Sequence, residues 1–170
     1  MKTKLREPKV AALIMVVLLA ASLFIGLNVG FYTLKSDITR MYQTRIEDSL
    51  EARIGAANGL IGLAKTNDVN EATVQRLQED VDALQGTDSL SEQYDANSLL
   101  TGSFNGVAEQ LSSSSAATSF QKDFETAQED LELWGESYNY AVDDYNEAMD
   151  SFPAFVLRWA IFSGPLEKFH

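Results

Sequence analysis

From Val10 to Leu34 the chain carries no charged residue. As a helix this stretch runs roughly 37 Å, enough to cross a hydrocarbon core of about 30 Å with some tilt. A cleaved signal peptide has an apolar region of about 7 to 15 residues followed by a small-residue site. Here the run continues through Ile25, Leu27, Val29 and Phe31, which marks an uncleaved signal anchor. Beyond it the pattern becomes periodic. Ile38, Tyr42, Ile46, Leu50, Ile54, Ala57, Ile61 and Ala64 recur every three or four positions, one face of a helix continuing out of the membrane.

Asn67 and Asp68 interrupt that face, and Asp68-Val69-Asn70-Glu71 has the form of a capping box. It predicts a second helix with Val74, Leu77, Val81 and Leu84 inward, stopping at Gly86. Ser89-Leu90-Ser91-Glu92 repeats the signature and predicts a third helix carrying Leu99, Leu100, Phe104, Val107 and Leu111, with the serines 112–115 as a joint. In the fourth, Phe120, Phe124, Ala127, Leu131, Trp134, Tyr138, Ala141, Tyr145, Ala148 and Phe152 alternate intervals of four and three, a heptad seam. Pro153 ends it, because proline disfavours helical geometry in the residue before it. Nothing in the pattern indicates a strand. The expected fold is all-α: an N-terminal transmembrane helix continuing into an antiparallel up-down-up-down four-helix bundle. The expected division is a basic N-terminus (1–9), the span (10–34), an acidic bundle (35–152) and an apolar tail (153–170).

Charge orients this plan. Lys2, Lys4, Arg6 and Lys9 precede the span with only Glu7 against them, so the positive-inside rule predicts a cytoplasmic N-terminus and an extracytoplasmic bundle. Beyond Leu34, 9 Lys and Arg face 24 Asp and Glu, a formal charge of −15 once those N-terminal residues are taken from the totals of 13 and 25. Such a surface repels nucleic acid and anionic headgroups, and suits a basic protein partner beside the bilayer itself.

Chemistry is constrained as well. The chain has no cysteine, and its single histidine is the terminal His170. Thiol nucleophiles, disulfides and histidine-based metal clusters are therefore not expected, and neither are catalytic residues, a metal or a cofactor. The acidic pairs Glu47-Asp48 and Asp143-Asp144 read as a solvated face, since a carboxylate-bridged metal site in a bundle needs inward Glu-x-x-His pairs.

The fourth helix ends Tyr138-Asn139-x-x-Val142-x-x-Tyr145-Asn146-x-x-Met149-x-x-Phe152-Pro153. This resembles the C-terminal signature of the LemA family, in which two Tyr-Asn pairs lie one heptad apart before a Phe-Pro. A looser match lies in the first helix, where Leu50-x-x-Arg53 precedes Leu60-Ile61. The chain departs from the family's pattern at Trp134-Gly135 and Gln128, which replace an Ala-Arg and an acid, and at Gly55 and Asn58. The resemblance implies a divergent member with a membrane helix and an antiparallel bundle, from a family with no established enzymatic activity.

Asn139 and Asn146 follow core tyrosines seven residues apart, and their amides are expected to bond a neighbouring helix and fix register, or to receive a partner. Tyr138, Asn139, Tyr145, Asn146 and Arg53 are thus the candidate interaction residues. The tail's Phe155, Trp159 and Phe162 are expected either to dock on the headgroup boundary or to cap the bundle's open end. The expected function is that of a non-enzymatic envelope scaffold or protein-interaction module with an unidentified partner. The alternative is a sensory or ligand-binding bundle signalling through another membrane protein.

Overall fold

A computed structural model describes residues 8–87 and 89–170; Lys2, Lys4 and Arg6 of the basic N-terminus lie outside the described residues. Every regular element among the described residues is helical. They are α1 (Pro8–Met41), a π-helical turn (Tyr42–Ile46), α2 (Glu47–Lys65), α3 (Glu71–Gln85), α4 (Leu90–Gln110), α5 (Ser115–Asp150) and the short α6 (Ala154–Leu157), which runs into a 3₁₀ turn (Arg158–Ala160). Two compact units result. One combines the described residues up to Ile38 with Asp143–Leu166; the other combines Thr39–Val142 with Glu167–His170.

Helical backbone runs from Pro8 to Lys65, and near its start an 18-residue window with mean hydropathy 2.8 has none of its residues buried. This helix is long and apolar enough to cross a membrane. The π turn was not visible in the sequence, yet it answers a geometric problem. Ile38, Tyr42, Ile46 and Leu50 are spaced by fours, and in a 3.6-residue helix such a stripe rotates steadily off its face. Widening one turn absorbs the excess. Ile38 and Ile46 are both buried as a result, at 2% and 0% exposure.

In the larger unit α3 packs on α2 and α4, and α2 touches α4. α5 joins them where the Phe124 ring stacks on Phe104 at 3.8 Å and where Phe120 fills the space beside Gly59. Leu60, Leu77, Leu100 and Val107 are fully enclosed. Two caps differ from expectation. The N-cap of α3 is Asn70, two residues beyond the start of the expected box, and its side chain accepts from Ala72 N and Thr73 N. Ser89 caps α4 in backbone terms only: its hydroxyl turns to Glu167, whose Oε1 also accepts from Ser91 N at 3.3 Å. The carboxylate that steadies the positive end of α4 therefore comes from the tail.

The seam of α5 also shifts. Buried positions run Phe124, Ala127, Leu131, Gly135, Tyr138, Val142, Tyr145 and Met149, while Ala148 and Phe152 are exposed. These intervals average close to 3.6, the period of a straight helix, whereas the expected seam assumed the 3.5 of a coiled coil. Over three heptads the difference moves the buried stripe by one residue.

Candidate functional site

α5 presents two copies of one arrangement. In the first unit Asn146 Nδ2 donates to Leu166 O and Leu166 N donates to Asn146 Oδ1, both at 3.0 Å. The Tyr145 hydroxyl meets Ser163 Oγ at 2.6 Å and donates to Gly164 O at 3.1 Å. In the second unit Asn139 Nδ2 donates to Phe169 O at 2.8 Å, and Phe169 N donates to Asn139 Oδ1 at 2.7 Å. The Tyr138 hydroxyl donates to Glu167 O at 2.9 Å. Each asparagine thus satisfies the N–H and C=O of a single residue, as a neighbouring strand would.

The spacing suits an extended client. Seven residues along an α-helix rise about 10.5 Å. Three residues of extended chain cover about 10 Å. Asn146 and Asn139 are seven apart in sequence, and Leu166 and Phe169 are three apart. The expected contact of these amides with a neighbouring helix is corrected: they hold the backbone of the C-terminal strap, residues 163–170. The tyrosines sit in the core as expected, at 3% and 0% exposure, with their hydroxyls satisfied by the strap.

Side chains complete the second clamp. Phe169 is 4% exposed and meets Tyr94 edge-on, with centroids 5.5 Å apart. Its ring lies 3.5 Å from where a Cβ on Gly135 would stand, so this glycine offers a flat seat on α5. Burial pushes the Tyr138 phenol up to about 12, helped by Tyr42 and Glu167 nearby. The phenol therefore stays protonated and keeps its donor.

Arg53 lies within α2 and is fully buried, taking the core position expected for Ile54. Its Nη2 donates to Thr101 Oγ1 at 2.6 Å, and its guanidinium lies over the Phe124 ring, 4.0 Å from the centroid. Burial pulls it down to about 10, against the opposing pull of Glu132. Nε and Nη1 meet no acceptor, while Asn97 Oδ1 and Gln128 Oε1 meet no donor. Asn97, Thr101, Gln128 and Glu132 line a cavity of about 400 Å³ that also borders Asn139 and Phe169. Among the described residues no group of three or more acids and histidines is placed to hold a metal ion.

Phe155, Trp159 and Phe162 are 63%, 85% and 89% exposed. They do not cap a bundle end; the buried tail residues are Ala154, Ile161 and Phe169 instead. No family model matches the chain, and neither a curated protein nor a solved structure matches it.

Proposed function

We propose that this chain is a single-pass membrane-anchored, non-enzymatic protein-interaction module, a divergent LemA-like protein whose Tyr-Asn clamps bind an extended peptide segment. The observation that carries the reading is the pair of two-way asparagine bonds to the backbone of residues 166 and 169. Such bonds recognise a peptide backbone, as strand addition does. The chain's own C-terminus fills the clamps in cis, and a partner's extended segment competes for them in trans. A basic partner complements the acidic surface. The short joints between α2, α3, α4 and α5 support an up-down-up-down bundle. The charge at Lys2, Lys4, Arg6 and Lys9 supports a cytoplasmic N-terminus.

The test is a chain ending at Phe162, offered a labelled peptide of residues 163–170. Saturable binding, abolished by Asn139→Ala with Asn146→Ala, supports an open groove. Absence of binding to a truncated chain that keeps its helical content refutes it. For orientation, a cysteine replacing the exposed Ser113 should react with an impermeant thiol reagent on intact cells. The ligand-binding alternative is favoured by the cavity beside Asn97 and Gln128, whose buried acceptors lack donors.

A further inference from the structure

Between Phe152 and Phe162 five large apolar side chains stand in the open: Phe152 and Trp159 at 85% exposure, Phe155 at 63%, Val156 at 57% and Phe162 at 89%. Soluble surfaces carry such residues singly, and a contiguous group marks a contact. This segment belongs to the same compact unit as the apolar part of α1. Within that unit it is tied to α1 at a definite level. Phe162 N donates to Asn28 Oδ1 at 3.1 Å, and Asn28 Nδ2 donates to Phe24 O at 3.0 Å. Three residues further along α1, Phe31 meets Tyr145 edge-on, with centroids 5.7 Å apart.

The level of that tie identifies what covers the segment. Crossing about 30 Å of hydrocarbon takes about 20 helical residues. Counted from Val10, where the uncharged run starts, these are used up at about Val29, beside Asn28. From there on α1 is sheltered by protein on one face, with Phe31 at 7% exposure, whereas Leu13 to Leu23 remain open. The point at which the tail attaches is therefore the boundary between hydrocarbon and headgroups, where aromatic residues gather in membrane proteins. Arg158, paired with Asp150 at 3.2 Å, is the one cation on the segment and suits the same layer by extending its head toward water.

We propose that residues 152–162 form a second membrane element, an aromatic segment seated in the interfacial layer of the bilayer and fixed in depth by the bond between Asn28 and Phe162. Its occupant is lipid, because the segment is bonded at Asn28 to a helix that is long enough to cross a membrane and whose apolar residues are themselves exposed. The inference rests on α1 spanning the membrane, and the experiment separates the two.

The chain contains two tryptophans, Trp134 and Trp159. Full-length Trp134→Phe is reconstituted in phosphatidylcholine vesicles brominated at shallow or at deep acyl positions, and its emission is compared with that in unbrominated vesicles. Trp159 should be quenched, and more strongly by shallow bromines than by deep ones. Adding Asn28→Leu should reduce the shallow quenching. A control carrying Leu19→Trp in a Trp134→Phe, Trp159→Phe background should be quenched most by deep bromines. If the control is quenched deeply while Trp159 is unaffected by bromine and open to aqueous iodide, the span stands and the tail proposal is overturned. Blue-shifted, concentration-dependent Trp159 emission without bromine quenching would make the occupant another copy of the chain, and also overturns it. If the control is not quenched, the span itself fails and the inference with it.

Discussion

Replacing Asn139 with alanine removes both bonds that hold the Phe169 backbone and leaves α5 otherwise untouched. Each neutral hydrogen bond contributes about 0.5 to 1.5 kcal/mol net, so opening the distal part of the strap should become easier by about 1 to 3 kcal/mol. With tenfold for each 1.4 kcal/mol, the Phe169 amide should exchange with solvent about 5- to 140-fold faster. The Leu166 amide, held by Asn146, should change much less. Asn139→Asp is the sharper variant. It keeps an acceptor for Phe169 N but turns the donor into an oxygen facing Phe169 O, so its effect should equal or exceed that of alanine. The assay is native-state hydrogen exchange read residue by residue, with thermal unfolding as a check on the whole fold. Unchanged protection at Phe169 would refute the clamp. An equal acceleration at Phe169, Leu166 and the core amides of α4 would mean that Asn139 supports the fold in general, which also refutes the local account.

Arg53→Met should be neutral or stabilising in urea at neutral pH, despite the lost bond to Thr101, because a guanidinium held near 10 and not 12.5 carries a burial cost on the order of 3 kcal/mol; a loss of more than about 2 kcal/mol would show that the bond and the Phe124 contact outweigh it. Alkaline pH sets two groups against each other. Tyr138 keeps its proton to about 12 when folded and loses it near 10 when unfolded, so its contribution is whole below pH about 10 and is lost from there to about 12. Arg53 runs the opposite way, its cost in force below pH about 10 and relieved above, so Arg53→Met should show a steeper alkaline loss of stability than the parent, and Tyr138→Phe a shallower one. Gly59→Ala should lower the denaturation midpoint, because its Cβ would overlap the Phe120 ring, by about 1 to 3 kcal/mol less the propensity gained. Gly62→Ala, with nothing within 4 Å, should raise stability by about 0.5 to 1 kcal/mol; same-sign shifts for the two would contradict the packing described.

The helices were legible because their signals are local. The uncharged run from Val10, the stop at Gly86 and the start at Leu90 all follow from residue type within a turn or two. What depended on distant chain was not. Glu167 steadies the start of α4 from 76 residues away in sequence, and no capping rule reaches that far. Asn139 and Asn146 stood out by their spacing, but the residues they hold are gripped by main chain, which leaves no pattern in side chains. Arg53 stood out as a candidate, but its place in the core did not, because a charge is not expected at 0% exposure; the Phe124 ring and Thr101 are what it meets there.

A grip on peptide groups is indifferent to most of what evolution or engineering writes into the strap. Gly164, Pro165, Glu167 and His170 are exposed, and of these only Glu167 has a further duty, at the start of α4. Positions 166 and 169 refuse proline alone on backbone grounds, since each must offer an N–H. The tail can thus be rewritten freely at its outward positions while staying attached, which makes it a natural place to graft a short recognition epitope or reporter onto an otherwise fixed frame.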